Sequence, residues 1–182
     1  MGYFLSFLFV FAMIGAVTLL EKRGVVSGEW SRKAIHIGVA HWWFIAMAYF
    51  KAPIEAAIVP AAFVGINYAS YKKQLFKSME RGAGAKDLGT VYYAVSLFVL
   101  ALWTFAIGRP EIGGVGILTM GYADGFAAVI GQRYGKRHYS ILGQTKSIEG
   151  SLTAFGFAFL VVFSFSVAFD MGLTVMHSLV IA

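Results

Sequence analysis

No cysteine occurs in the chain, which excludes disulfide stapling, thiolate metal sites and thiol nucleophiles at once. Any metal ion must be held by oxygen or imidazole. Charge is scarce too: Asp, Glu, Lys and Arg make up 13% of the 182 residues, against 59% hydrophobic. That is too little polar surface to solvate a water-soluble globule, so lipid is the expected solvent. No internal repeat, low-complexity tract or linker divides the chain, and residues 1–182 are expected to form a single integral membrane domain. The first apolar stretch has no basic residue ahead of it and no small-residue cleavage site behind it, so it is expected to stay as a first helix.

Six hydrophobic stretches follow one another at the rhythm of spanning helices and short loops: Tyr3 to Leu20, Ala34 to Phe50, Pro53 to Tyr71, Thr90 to Ile107, Ile112 to Ile130 and Ser151 to Ala168. The expected fold is an all-α polytopic transmembrane bundle of about six spans. Leu173 to Ala182 is too short to cross, and reads as a half-inserted helix, a surface segment or the start of a seventh span.

Thirteen of the fifteen Lys and Arg residues lie in three loops, after stretches one, three and five; only Lys51 and Arg109 lie in the others. The excess of positive charge on the cytoplasmic side then places the N-terminus outside and these three loops in the cytosol. In a soluble protein a net charge of +6 suggests nucleic acid. Here the cations sit in short loops at a membrane, so the expected counter-anions are phosphates of lipid or nucleotide, with no nucleic acid partner. The loop from 71 to 88 begins amphipathic, with Leu75, Phe76 and Met79 among lysines, and is expected to lie on the membrane surface.

Asp124 interrupts an otherwise apolar stretch, and an intramembrane carboxylate is costly enough to signal function. On a continuous helix Gly121, Asp124, Ala128, Gly131 and Gly135 fall within a narrow arc, which sets the carboxylate on a groove without side-chain bulk. Close helix packing accounts for the glycines equally well, and a structural pairing with Arg or Lys is the alternative for the Asp. Arg133, Lys136, Arg137, His138 and Lys146 come next, then Ser147, Glu149 and Gly150 at the start of the sixth stretch. Cations facing a helix N-terminus suit a polyphosphate, and Glu149 with Asp124 suits a shared divalent ion; topology enforcement and a helix-dipole role for Glu149 are the plainer readings.

Glu29, Arg32, Lys33 and His36 are spaced to share one helix face. Snorkelling explains the cations, but His36 lies deeper than snorkelling requires. His41 reads as a packed or interfacial histidine. A weaker cluster, Asp87, Gly89, Thr90, Tyr92 and Tyr93, opens the fourth stretch, where Asp87 serves equally as a cap and the tyrosines as interfacial aromatics. Glu55 reads as a first-turn acid.

The run from Asp124 through Gly131 to Gly135, followed by Lys146-Ser-Ile-Glu149-Gly150, resembles the D-x-x-A-x-x-x-G-x-x-x-G and K-[ST]-x-E-G elements of CTP-using membrane enzymes. With Arg32-Lys33-x-x-His36 upstream and Asp87-Leu-Gly89-Thr90 between, residues 29 to 155 are similar to the polyprenol, phytol and diacylglycerol kinase family. The resemblance implies transfer of the γ-phosphate of CTP to a lipid alcohol with Mg²⁺ at the cytosolic face. Carried over, Asp124 holds the metal, Gly131 and Gly135 admit the nucleotide, and Lys146, Glu149 and Gly150 complete its site beside Lys136. Arg32 and Lys33 bind phosphate, and Ser147 keeps the hydroxyl where Thr is usual.

His36 is the candidate acceptor of the alcohol proton, with a carboxylate as the alternative. Phosphatidate cytidylyltransferases share the Asp, Gly and Lys-x-x-Glu-Gly run, but end in H-G-G followed by D-R, and neither occurs after residue 151. A kinase is therefore expected rather than a cytidylyltransferase; an isoprenoid alcohol is the expected acceptor, with diacylglycerol the alternative, since each presents a hydroxyl on an apolar tail. A small proton- or ion-coupled transporter is the non-enzymatic rival; it calls for deeper charge and repeat symmetry, neither of which the sequence carries.

Overall fold

The computed structural model describes residues 1–73, 88–141 and 143–182. These are helical almost throughout, because a bilayer core offers no water to backbone N–H and C=O groups and each apolar stretch must satisfy them internally. Among the described residues four helical stretches are long and apolar enough to cross a membrane: Gly2–Lys22, Gly89–Ala106, Pro110–Tyr134 and Ile148–Ala168. The chain is an integral membrane protein of the all-α class. Its internal contacts fall into two compact units, Met1–Ile117 and Leu118–Ala182, each described by itself.

The first unit opens with α1 (Gly2–Lys22), which buries Gly2, Ser6, Val10, Ile14 and Val17 along one stripe at helical spacing. The second expected stretch is not one helix but two, α2 (Glu29–Ala40) and α3 (Trp42–Tyr49). The break has a local cause at His41. Its ring Nδ1 lies 2.9 Å from Ile37 O, the carbonyl its own backbone N–H would take in an α-helix, and that N–H bonds Gly38 O instead.

Helix α4 (Pro53–Lys73) has spanning length, but Glu55 and Asn67 make it less apolar than the four above. Glu55 Oε2 accepts from the backbone N–H groups of Lys51 and Ala52 at 3.3 and 3.4 Å, the first-turn role its position suggested. Helix α5 (Gly89–Ala106) lies along α4, with small residues such as Ala56, Ala57, Ala94 and Ala101 buried. Helix α6 (Pro110–Thr119) begins against α3: Trp43 Nε1 donates to Pro110 O at 2.8 Å. The expectations for residues 74–87, including the surface segment and Asp87, lie outside the described residues.

In the second unit the fifth stretch is interrupted. A π-turn, Met120–Asp124, separates α6 from α7 (Gly125–Tyr134). The wider turn breaks the 3.6-residue phase, so Gly121 does not share the arc expected from a continuous helix: Gly121 is buried while Asp124 is exposed. The following loop also holds structure the sequence reading missed, a hairpin of β1 (His138–Ile141) and β2 (Gln144–Ser147). His138 pairs with Ser147, Tyr139 with Lys146 and Ser140 with Thr145. Gly143, at φ +76°, supplies a backbone conformation that side chains rarely adopt. Helix α8 (Ile148–Ala168) follows directly. The C-terminal segment folds as α9 (Val175–Ile181), capped by Thr174 and tied back where Ser166 Oγ donates to Leu173 O at 2.9 Å.

Candidate functional site

Ser147 organises the candidate residues of the second unit. It is buried at the N-terminus of α8, and its Oγ accepts from Gly150 N–H at 3.0 Å, an N-cap that satisfies one of the helix's orphan donors. Three glycines surround that hydroxyl. A Cβ on Gly131, Gly135 or Gly150 would lie 2.8, 2.9 or 3.0 Å from Ser147 Oγ, and on Gly135 also 2.2 Å from Gly131 O. A Cβ on Gly150 would press on Ala127 O at 2.9 Å. The glycines thus let α7 and α8 approach backbone to backbone, with the serine hydroxyl filling the space their side chains would need.

That packing fixes where the charged groups emerge. Asp124 is exposed at the end of the π-turn, a local helix defect that recurs at functional sites. Beside it in sequence, the rings of Tyr122 and Phe126 stack with Phe157 of α8, the closest pair 4.4 Å between centroids. Arg133, Lys136, Arg137, His138 and Lys146 are all exposed at the end of α7 and on the hairpin. Glu149 lies in the first turn of α8, where its Oε2 accepts from the Arg137 backbone N–H at 3.4 Å, while Ile148 N–H donates to Arg137 O at 2.9 Å. These bonds seat the hairpin on α8. Tyr139 adds a third link, its hydroxyl 2.5 Å from Ser151 Oγ.

The arrangement offers an anion the exposed side chains of Arg133, Lys136, Arg137, His138 and Lys146, and separately sets the Glu149 carboxylate in the first turn of α8. Among the described residues no three His, Asp or Glu side chains gather into a metal cage. Asp124 and Glu149 are carboxylates of the donor type that Mg²⁺ takes, one or two of which complete a shell of water and phosphate oxygens.

The candidate residues of the first unit lie on α2. Glu29, Arg32, Lys33 and His36 run along it as their spacing predicted, and Arg32 forms an ion pair with Glu29 through both Nε and Nη2. Arg32 and Lys33 are buried, at 7% and 5% exposure, so they are not snorkelling cations on an open surface. The His36 ring stacks on the Tyr93 ring of α5.

Both rings line a small, partly open apolar pocket among α1 to α5. Asn67 and Thr90 also line it. Asn67 Nδ2 donates to Thr90 O at 3.0 Å, and a carbonyl only accepts, so the amide orientation is determined. Among the described residues Asn67 Oδ1 is buried without a hydrogen-bond partner, which costs about 1–3 kcal/mol. Asn67 was missed in the sequence, where the signal was a lone amide within the third hydrophobic stretch.

No family model matches the chain, and no solved structure matches it. Curated proteins do. A phytol kinase of Synechocystis sp. is 33% identical over 169 residues, covering 90% of this chain and 70% of the relative. Two plant proteins align over 83% of the chain: a probable chloroplastic phytol kinase 1 of Glycine max at 31% identity, and the chloroplastic phytol kinase 1 of Arabidopsis thaliana at 28%. The chain spans about half the length of those plant relatives, 53% and 52%. The degree and extent of the cyanobacterial match decide the assignment: the chain belongs to the phytol kinase family.

Proposed function

We propose that the chain transfers the γ-phosphate of CTP to phytol or a similar isoprenoid alcohol, with Mg²⁺, at the cytosolic face of its membrane. The observation that carries the reading is the 33% identity with the Synechocystis phytol kinase along 90% of the chain. The two units supply chemistry that suits it. Phosphoryl transfer needs positioning and charge compensation more than covalent help, and the exposed cations around the hairpin suit a triphosphate. Asp124 with Glu149 would hold Mg²⁺, which would supply further charge compensation when bound. On the first unit, Arg32 and Lys33 bind phosphate, and the apolar pocket beside His36 suits a lipid alcohol.

In the reaction the alcohol oxygen bonds to the γ-phosphorus, the bond to the β,γ-bridging oxygen breaks, CDP departs, and the hydroxyl proton passes to His36. The charge asymmetry of the loops supports the cytosolic orientation.

CTP labelled at the γ or α position, offered with phytol, geranylgeraniol, diacylglycerol or phosphatidate, tests the proposal. Label from the γ position is expected in a prenyl monophosphate, with unlabelled CDP released. Transfer of α label to phosphatidate, with pyrophosphate released, would overturn it in favour of a cytidylyltransferase. Absence of transfer from any nucleoside triphosphate would return the transporter reading.

A further inference from the structure

We infer that the pocket of the first unit seats the hydroxyl end of the isoprenoid alcohol, with Asn67 Oδ1 accepting the hydroxyl hydrogen; this rests on the kinase reading and names a residue that positions its acceptor. Two independent observations converge on it. The pocket is apolar over most of its wall, and one amide oxygen buried at that wall lacks a hydrogen-bond donor among the described residues. Asn67 is 6% exposed and one N–H of its Nδ2 is held by Thr90 O, while Oδ1 is the amide's unsatisfied acceptor.

The ligand's chemistry follows. Val59 and Phe63 precede Asn67 on the same helix and share the pocket, so the apolar wall runs about 12 Å from the amide at the helical rise. Ala94 and Leu97 continue it on α5. A hydrocarbon fills such a wall but leaves the oxygen unsatisfied, and water satisfies the oxygen but leaves the wall unfilled. A phosphate or carboxylate head sets an acceptor against Oδ1 and brings a charge into a mostly apolar pocket, whereas a hydroxyl can donate to Oδ1 and also accept from the buried Trp42 Nε1–H on the same wall. An apolar chain ending in a single hydroxyl meets both requirements. Asn67 takes no proton from it: it holds the hydroxyl as the alcohol binds, and the O–H turns from Oδ1 to His36 on the same pocket wall when the proton is transferred, which makes Asn67 a positioning residue.

The test compares phytol with phytyl methyl ether, which keeps the chain and loses the donor, bound to the full chain in detergent. Trp42 lines the pocket, so tryptophan fluorescence reports occupancy, with thermal shift as the second readout. The unaltered protein is expected to bind the alcohol about tenfold or more tighter than the ether, and Asn67→Leu to bind the two alike. Equal binding by the unaltered protein, or a preference that survives Asn67→Leu, overturns the inference. If Asn67→Leu does not fold, Ala94→Leu narrows the pocket without touching the amide and is expected to weaken phytol binding about tenfold; unchanged binding overturns the inference.

In the phosphotransfer assay Asn67→Leu is expected to raise KM for phytol more than it lowers kcat. Asn67-dependent preference for the alcohol without transfer from any nucleotide would sink the kinase reading and spare the pocket. Transfer of γ label with no role for Asn67 would do the reverse.

Discussion

The imidazole of His36 lies flat on the Tyr93 ring, centroids 4.5 Å apart and planes 11° from parallel, while the Tyr93 hydroxyl donates to the His36 carbonyl oxygen at 3.0 Å. One tyrosine therefore holds both the side chain and the backbone of the histidine. Tyr93→Phe keeps the stack and loses the hydrogen bond, so its expected cost is about 0.5–1.5 kcal/mol. Tyr93→Ala also empties a buried ring site, with an expected cost of about 3–5 kcal/mol, the range for aromatic truncation in a core. Thermal unfolding in detergent checks the order. Activity with phytol is expected to follow it, since the ring bearing the proposed proton acceptor loses its support; full activity in Tyr93→Ala would remove His36 from the mechanism.

The glycines of the second unit divide by what a side chain would strike. A Cβ on Gly135 would meet Gly131 O and Ser147, whereas one on Gly156 has nothing within 4 Å. Gly135→Ala is expected to destabilise by about 1–3 kcal/mol, as overpacking does, and to lower activity by spreading α7 from α8. Gly156→Ala is expected to be neutral or slightly stabilising, since Ala is the better helix former by about 1 kcal/mol. Equal melting temperatures for the two variants would contradict the close approach around Ser147.

Asp124→Asn keeps the side chain's shape and removes the charge that a divalent ion needs. The protein is expected to fold and insert normally, because Asp124 is exposed and Asn keeps its size. Activity is expected to fall by about two orders of magnitude or more, the scale for loss of a main charge-stabilising group. Full activity, with unaltered Mg²⁺ dependence, would refute its assignment as a metal ligand.

The absence of native cysteine makes single-cysteine labelling clean. In sealed vesicles, cysteines at Lys73 and Arg137 are expected to react from the cytosolic side, and cysteines at Lys51 and Arg109 from the opposite one. All four native positions are exposed, so reagent access is set by sidedness. Labelling at positions 51 and 73 from the same side would refute the orientation and the passage of α4 across the bilayer.

The sequence by itself determined the solvent, the helical class and the order of the charged motifs. Those properties depend on composition and on the run length of apolar residues, which a bilayer reads almost locally. The placing of Glu29, Arg32, Lys33 and His36 along one helix was legible for the same reason, since their spacing lies within two turns.

Tertiary structure decided the rest. The break at His41, the π-turn before Gly125 and the hairpin after Arg137 each depend on a backbone hydrogen bond shifted by one partner or closed across a turn, which hydrophobic periodicity does not record. The glycines of the Asp124 motif pointed equally to a groove and to packing; the fold puts Ser147 where their side chains would stand. Asn67 was one polar letter in an apolar run until α5 brought Thr90 against its amide nitrogen and left its oxygen on a pocket wall, because a hydrogen bond between residues 23 apart exists only once two helices have packed.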